Sequence, residues 1–431
     1  LDVRKPVLQH SLEVEPYLGE LTMPGALSHI RVLDLSRILA GPWASQNLGD
    51  LGAEVIKVER PEGGDDTRGW GPPYLCDSDG MPTSESAYFL GANRNKKSVA
   101  IDIAQAEGQK LVAELAAKSD VFIENFKVGG LRQYGLDYAS LKEANPKLIY
   151  CSITGFGQDG PYAARAGYDF LIQAMGGLMS VTGGKDGELG AGPTKVGVAL
   201  TDILTGLYAS NAILAALAYR DVSGVGQSID LALLDVQVAC LANQAMNYLT
   251  TGIPPRRLGN AHPNIVPYQD FRTADGNMIL AVGNDAQFAR FCEIAGHPEW
   301  ANDVRFATNA ARVRHREELI PVLQDVIGTR NTGDWIATLE ACGVPCGPIN
   351  NIAQVFADPQ VTARKMQINL PHPAAGQAPL VANPIRLSQT PVSYRCAPPM
   401  LGQHTREVLG TVLGLKPGNI DLLLHNRVIA T

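Results

Sequence analysis

IRVLDLSRILAGPWASQNLGDLGAEVIKVE, residues 30–59, runs strand, helix, strand. IRVLDL (30–35) is a short apolar run with β-branched residues, bounded by Ser36-Arg37. AGPWASQNLGDLG then opens a helix, with Pro42 in the first turn, where its missing N–H costs nothing. EVIKVE (54–59) alternates as a second strand, and RPEGGDD (60–66) breaks into a loop. The pattern repeats downstream: a strand at Lys97–Asp102, a helix at about 105–118, a strand at Val121–Glu124, a further helical region and a strand at Leu148–Ile153. Strands alternating with helices predict an α/β fold with a parallel, doubly wound sheet. Ligands of such sheets bind beyond the carboxyl ends of the strands, where Arg37, Arg60, Asn125 and Thr154 fall.

Gly155-Phe156-Gly157-Gln158-Asp159-Gly160 fits the GxGxxG pattern after a strand. Pro161 follows at once, the next helix waits until about Gly167, and no acidic residue closes a strand about 20 residues on. A glycine-permitted turn is therefore preferred to a dinucleotide fingerprint. From Gly167 to Gly206 two isolated carboxylates, Asp169 and Asp202, stand among apolar and glycine residues. Asp202 precedes the apolar helix ILTGLYASNAILAAL (203–217), in the place of an N-cap. There the helix dipole and free N–H groups are expected to keep it ionised, which suits a nucleophile. A plain capping role accounts for the same residues.

Beyond that helix, GVGQSIDLALLD reads as strand then turn, VQVACLANQAMNYLTTG as one apolar helix and PPRRLGNAHPN (254–264) as a linker. YQDFRTADGNMILAVG predicts a hairpin around Asp275-Gly276, followed by helical segments to about Cys342. A late amphipathic helix is carried by LGQHTREVLGTVLG.

With 431 residues the chain exceeds one ordinary core, and two domains are expected. Its formal charge of -7 and the lack of a long basic run argue against a nucleic-acid partner. Seven scattered cysteines, without CxxC pairs or histidines at zinc-ligand spacing, predict no metal and a reducing, cytoplasmic location. No uninterrupted apolar stretch reaches about 18 residues, so no membrane partner is expected. Residues 1–22 resemble neither signal nor transit peptide and read as an extension, or as an arm packed on a partner, with Met23 a possible start.

LDLSRILAGPWASQNLGDLGAEVIKVERPEGGDDTRGW, NRNKKSVAIDI, ENFKVGGLRQYGL, AGYD, TDILTG, GNAHPNIVPYQ, GVPCGPINN and LGQHT, in that order, resemble the class III CoA-transferases from about Ile30 to the C-terminus. The resemblance implies an interlocked homodimer. Each subunit would have a Rossmann-like large domain, its parallel sheet built from both chain ends, and a smaller α+β domain between them. The expected divisions are 1–22 extension, 23–232 large domain, 233–264 linker, 265–345 small domain, 346–383 return linker and 384–431 the rest of the large domain.

It further implies that Asp202 is the catalytic nucleophile, supported by Tyr168, Asp169, Gly259, Asn260 and His262. CoA would contact Ile38, Ala40, Arg60, Ile101, Asn125 and Phe126, with Arg132 a possible stand-in for a family arginine replaced here by Gln133. The substrates implied are an acyl-CoA, succinyl-CoA or a close relative, and a free carboxylic acid, a four- to six-carbon dicarboxylate such as glutarate. No permanently bound cofactor is implied, since CoA enters as a thioester substrate. Neutralising the distal carboxylate calls for arginine or histidine, with Arg94 and His262 as candidates. A racemase of the same fold family would carry histidine where Tyr168 stands, and a phenol with an ordinary pKa near 10 is a poor proton shuttle at neutral pH. A CoA-binding protein without catalysis is disfavoured by the intact Asp202.

Overall fold

The computed structural model describes residues 25–431; the expected extension and Met23 lie outside the described residues. In chain order the strands are β1 (Arg31–Asp34), β2 (Glu54–Glu59), the hairpin β3 (Tyr74–Cys76) and β4 (Pro82–Ser86), β5 (Lys96–Ile101), β6 (Val121–Glu124), β7 (Ile149–Thr154) and β8 (Ser228–Ala232). They continue with β9 (Tyr268–Arg272), β10 (Asn277–Ala281), β11 (Cys346–Pro348), β12 (Gln367–His372), β13 (Gly376–Val381) and β14 (Ile429–Ala430).

The main sheet has the order β14-β5-β2-β1-β6-β7-β8. Every pair in it is parallel except β14 on β5, so the expected parallel sheet is a mixed one, with a short antiparallel C-terminal edge. Sequential strands run outward from β1 to β2 and β5 on one side, and through β6, β7 and β8 on the other. The strand order therefore reverses beside β1, the place where open α/β sheets bind ligands.

Adjacent residues of each strand enter opposite cores, which is why the strands read as almost continuous apolar runs. Leu33, Ile56 and Phe122 join one core with Leu111, Val408 and Ile420, while Val32, Val55 and Val121 join the other with Leu48, Ala209 and Ile213. The second face is covered by the helices Ala40–Asp50 and Leu200–Ser223. These approach closely at Gly206, where a Cβ would stand 2.6 Å from the Ala40 carbonyl. The Leu200–Ser223 helix is longer than the expected 203–217. With a mean hydropathy of 1.4 over an 18-residue window, it is long and apolar enough to cross a membrane. Its Ala209, Ile213, Ala216 and Leu217 are packed in the core, as in a core helix of a globular protein.

Other departures are local. The apolar segment after β8 is two helices, Leu233–Ala239 and Ala242–Thr251, broken where Ala242 takes φ 45°. The Asp275-Gly276 hairpin is present as β9 and β10, and β11 extends it to three strands over a core containing Phe271, Phe291 and Trp335. The GxGxxG stretch is a turn: Gly157 and Gly160 have φ of 92° and 79°, and no helix begins before Asp169.

Candidate active site

Two adjoining cavities lie along the carboxyl ends of β1, β2, β5, β6 and β7. The first, about 240 Å³, is lined by Lys57, Arg60, Asp65, Ile101 and Tyr134, and the second, about 170 Å³, by Ile38, Ala40, Asn125, Tyr168, Asp169 and Asp202. Arg37 and Phe126 border both. Neither alone reaches the roughly 300–1,000 Å³ of an ordinary ligand site, whereas the two together do. The cleft thus gathers Ile38, Ala40, Arg60, Ile101, Asn125, Phe126, Tyr168, Asp169 and Asp202 from four strand ends and three helix starts.

The loop after β1 is held by side chains at successive backbone groups. Ser36 N–H donates to Asp34 Oδ1 (2.8 Å) and its carbonyl accepts from Lys57 Nζ (2.8 Å). Arg37 N–H donates to Asn125 Oδ1 (2.9 Å), and its carbonyl accepts from Asn125 Nδ2 (2.7 Å). Ile38 N–H donates to the Asp65 carboxylate at 3.2 and 3.3 Å. Asp65 is itself buried against Lys57 at 2.9 Å; burial works to raise its pKa, but the Lys57 charge and the Thr67 hydrogen bonds hold it at about 2. Ile38 has φ 72°, a left-handed conformation that a β-branched residue adopts only under constraint.

Asp202 is not an N-cap. The helix begins at Leu200, placing Asp202 in its first turn, and Asp169 supplies the cap from the first turn of the Asp169–Met175 helix. Asp169 Oδ1 accepts from Thr201 N–H (2.8 Å) and Asp202 N–H (3.2 Å), while its Oδ2 accepts from Gln173 Nε2 (2.7 Å). The expectation of a carboxylate held in its ionised form is corrected with it: burial, and then the Asp169 charge, push Asp202 up to about 7. Tyr88, not singled out in the sequence, is near enough to feel both groups. Its phenol pKa is raised by burial and by the charges of Asp202, Asp169 and Asp65. No local pattern around Tyr88 points to the site, which it reaches through the fold.

CoA-transferase family III matches residues 27–405. The chain belongs to that family. A succinate–glutarate CoA-transferase of Agrobacterium fabrum is 55% identical to this class III CoA-transferase over 383 residues, covering 89% of this chain and 94% of that protein. The Homo sapiens succinyl-CoA:glutarate CoA-transferase is 46% identical over 403 residues, covering 94% and 90%. Among solved structures, a CAIB/BAIF family protein from Brucella suis is 50% identical with a TM-score of 0.79, covering 90% of this chain and 100% of that one.

Within this CoA-transferase several expected site residues stand away from Asp202. Arg94 is buried and already paired: Nε and Nη2 donate to Asp50 at 2.9 and 2.5 Å, and Nη1 to the Val381 carbonyl at 2.9 Å. It borders neither cavity of the cleft and its charge is committed to Asp50, which corrects the expectation that it meets a substrate carboxylate. His262 accepts from Asn264 N–H through Nδ1 (3.0 Å) and leans on Tyr268, while burial and the Arg316 charge lower its pKa and keep it neutral near pH 7. Gly259 and Asn260 line a separate cavity with Lys185 and Arg316. Arg132 is largely exposed beside Asp137 at 3.7 Å and lines neither cavity of the cleft. Arg60 does border the first cavity, donating to Gly64 O (2.9 Å) and Asp66 (2.8 Å). Among the described residues no three His, Cys, Asp or Glu side chains are grouped to hold a metal.

Proposed function

We propose that this CoA-transferase moves CoA from succinyl-CoA to glutarate or a similar four- to six-carbon dicarboxylate, with Asp202 as nucleophile. Asp202 carries the reading: it borders the cleft and, among the described residues, nothing donates a hydrogen bond to its carboxylate. The donor and acceptor follow the names of the relatives at 55% and 46% identity.

Ionised Asp202 attacks the thioester carbonyl and the C–S bond breaks, leaving an acyl-aspartyl anhydride and CoA thiolate. The thiolate attacks the aspartyl carbonyl of that anhydride, giving an aspartyl-CoA thioester and free succinate. The acceptor carboxylate then attacks the thioester, re-forming an anhydride and thiolate, and thiolate attack on the acceptor's acyl carbon frees Asp202. Amides at the start of the Ala40–Asp50 helix lack intrahelical acceptors, and Leu39 offers no side-chain cap. They are suited to stabilise the oxyanions formed at each attack. In this reading Arg60 meets a CoA phosphate, and Ile38, Ala40 and Phe126 form the apolar wall.

The same reading makes the molecule a homodimer, in which a second copy could carry Gly259, Asn260 and His262 to the Asp202 cleft. It also keeps the seven free cysteines in a reducing, cytoplasmic compartment. The test of the substrate class is competition between glutarate and valerate, acids of equal chain length, with succinyl-CoA as donor. Glutarate should be used in strong preference; equal turnover would sink the dicarboxylate assignment.

A further inference from the structure

We infer that Arg165 binds the distal carboxylate of the acyl group and so selects dicarboxylyl over neutral thioesters, an inference that rests on the transferase reading of Asp202. In succinyl-CoA the second carboxylate is only two methylene carbons from the thioester carbonyl. A cation that receives it while Asp202 attacks must therefore border the same cavity. Arg37, Lys127 and Arg165 do so.

Arg37 is engaged by Asp66 at 2.9 Å. Lys127 follows Phe126, where the two cavities join, and also borders the groove around Glu124 and Tyr138. Lys127, like Arg165, has no carboxylate partner among the described residues, but Arg165 alone of the two is held by aromatic rings. Among the described residues its guanidinium has no carboxylate partner, and its polar side-chain contact is from Nη2 to Met175 Sδ at 3.6 Å, a weak acceptor. The group is nevertheless oriented: its central carbon stands 5.0 Å from the Phe156 ring and 4.6 Å from the Tyr162 ring, and these rings meet edge to face at 5.5 Å. These contacts hold the group in place, while its N–H groups beyond the one on Met175 meet no acceptor among the described residues and so are open to a carboxylate.

The chain also fixes where that group is presented. A Cβ on Gly155 would stand 2.5 Å from Gly167 Cα, so the loop carrying Arg165 is closed at its base by two glycines in contact. Tyr168 and Asp169 follow directly, and Asp169 is bonded to the amide of Asp202. Arg165 is thereby tied to the nucleophile through a short stretch of chain. Asp169 and Asp202 border the same cavity, so an incoming dicarboxylyl group needs a cation to offset them.

The experiment compares kcat/KM for succinyl-CoA and butyryl-CoA, equal in chain length, in the wild type, Arg165→Gln, Arg165→Lys and Lys127→Met, with Tm as a check of folding. Wild type should prefer succinyl-CoA. Arg165→Gln should lose on the order of 10- to 100-fold with succinyl-CoA, the scale of a charge-assisted hydrogen bond, and little with butyryl-CoA. Arg165→Lys should recover part of the preference, and Lys127→Met should retain it. Equal losses on both donors in Arg165→Gln would mean that Arg165 holds the CoA moiety, and would overturn the inference, as would an unchanged ratio. A wild type that uses both donors equally would instead overturn the dicarboxylate reading on which it rests.

Discussion

A carboxylate in the first turn of a helix ordinarily gains from the macrodipole, and the free amides there ordinarily answer to it. At Asp202 the nearest amides are already bonded to Asp169, whose negative charge adds to the cost of burying a second carboxylate. A folded pKa of about 7 against an ordinary value of 3.8 means that the folded protein holds this proton more tightly than the unfolded chain. Its contribution to stability is therefore lost as pH rises from about 4 to about 7. Asp202→Asn should leave stability near pH 4 almost unchanged and raise it at pH 8, by about 1–3 kcal/mol once partial solvent exposure is allowed for, while abolishing transfer. Thermal melts of both proteins at the two pH values provide the check. A variant less stable than wild type at pH 8 would restore the dipole-stabilised aspartate. The sequence shows that Asp202 stands at a helix start, but its protonation depends on its burial in the fold and then on Asp169, 33 residues earlier. Local pattern carries no information on such a pairing.

Elements were legible where their patterns were long. β2 and β6 occupy the residues read from alternation and apolar runs, because both faces of the central sheet are buried and each strand supplies apolar residues to both cores. β14 has only two residues and pairs with β5 from the far end of the chain, leaving too little sequence to register. The Ser36–Ile38 loop is recognisable as a break, but the clamp on it is not, since Asp65, Lys57 and Asn125 come from three later segments. A left-handed isoleucine costs about 1–2 kcal/mol, held here by the hydrogen bonds of its neighbours. Asp65→Asn should weaken both the grip on Ile38 and the pairing with Lys57, lowering kcat and Tm together. In Asp65→Asn/Ile38→Gly, glycine reaches positive φ without strain, so kcat should recover further than Tm, which still lacks the Lys57 pair. Measuring both quantities in the single and double variants separates a positioned loop from a merely stable one. If kcat merely follows Tm across the set, the clamp has no part in positioning.

At the scale of the whole molecule, motif order gives the family and strand alternation gives the main sheet, but neither says what covers the outside. Pattern does not distinguish a helix face turned to solvent from one turned to another chain. The structure leaves many large apolar residues exposed, among them Tyr168, Phe170, Leu189, Met246, Leu249 and Ile253 in the middle of the chain and Ile349, Ile352 and Ile385 on the return path. The Ala242–Thr251 helix buries none of its residues within the chain although it carries Met246, Tyr248 and Leu249. An apolar helix with no buried residue suits a binding surface, and Gly259, Asn260 and His262 stand apart from the cleft they are expected to serve. A second copy would account for both. For a chain of 46.0 kDa, light scattering after size-exclusion chromatography should give about 92 kDa across the working concentration range. Because the subunits would stabilise one another, Tm should rise with protein concentration. Placing a charge at Leu249, 71% exposed in the isolated chain, should yield a 46.0 kDa species with reduced transfer activity. A wild-type mass of 46.0 kDa with full activity would show that one chain completes the site alone.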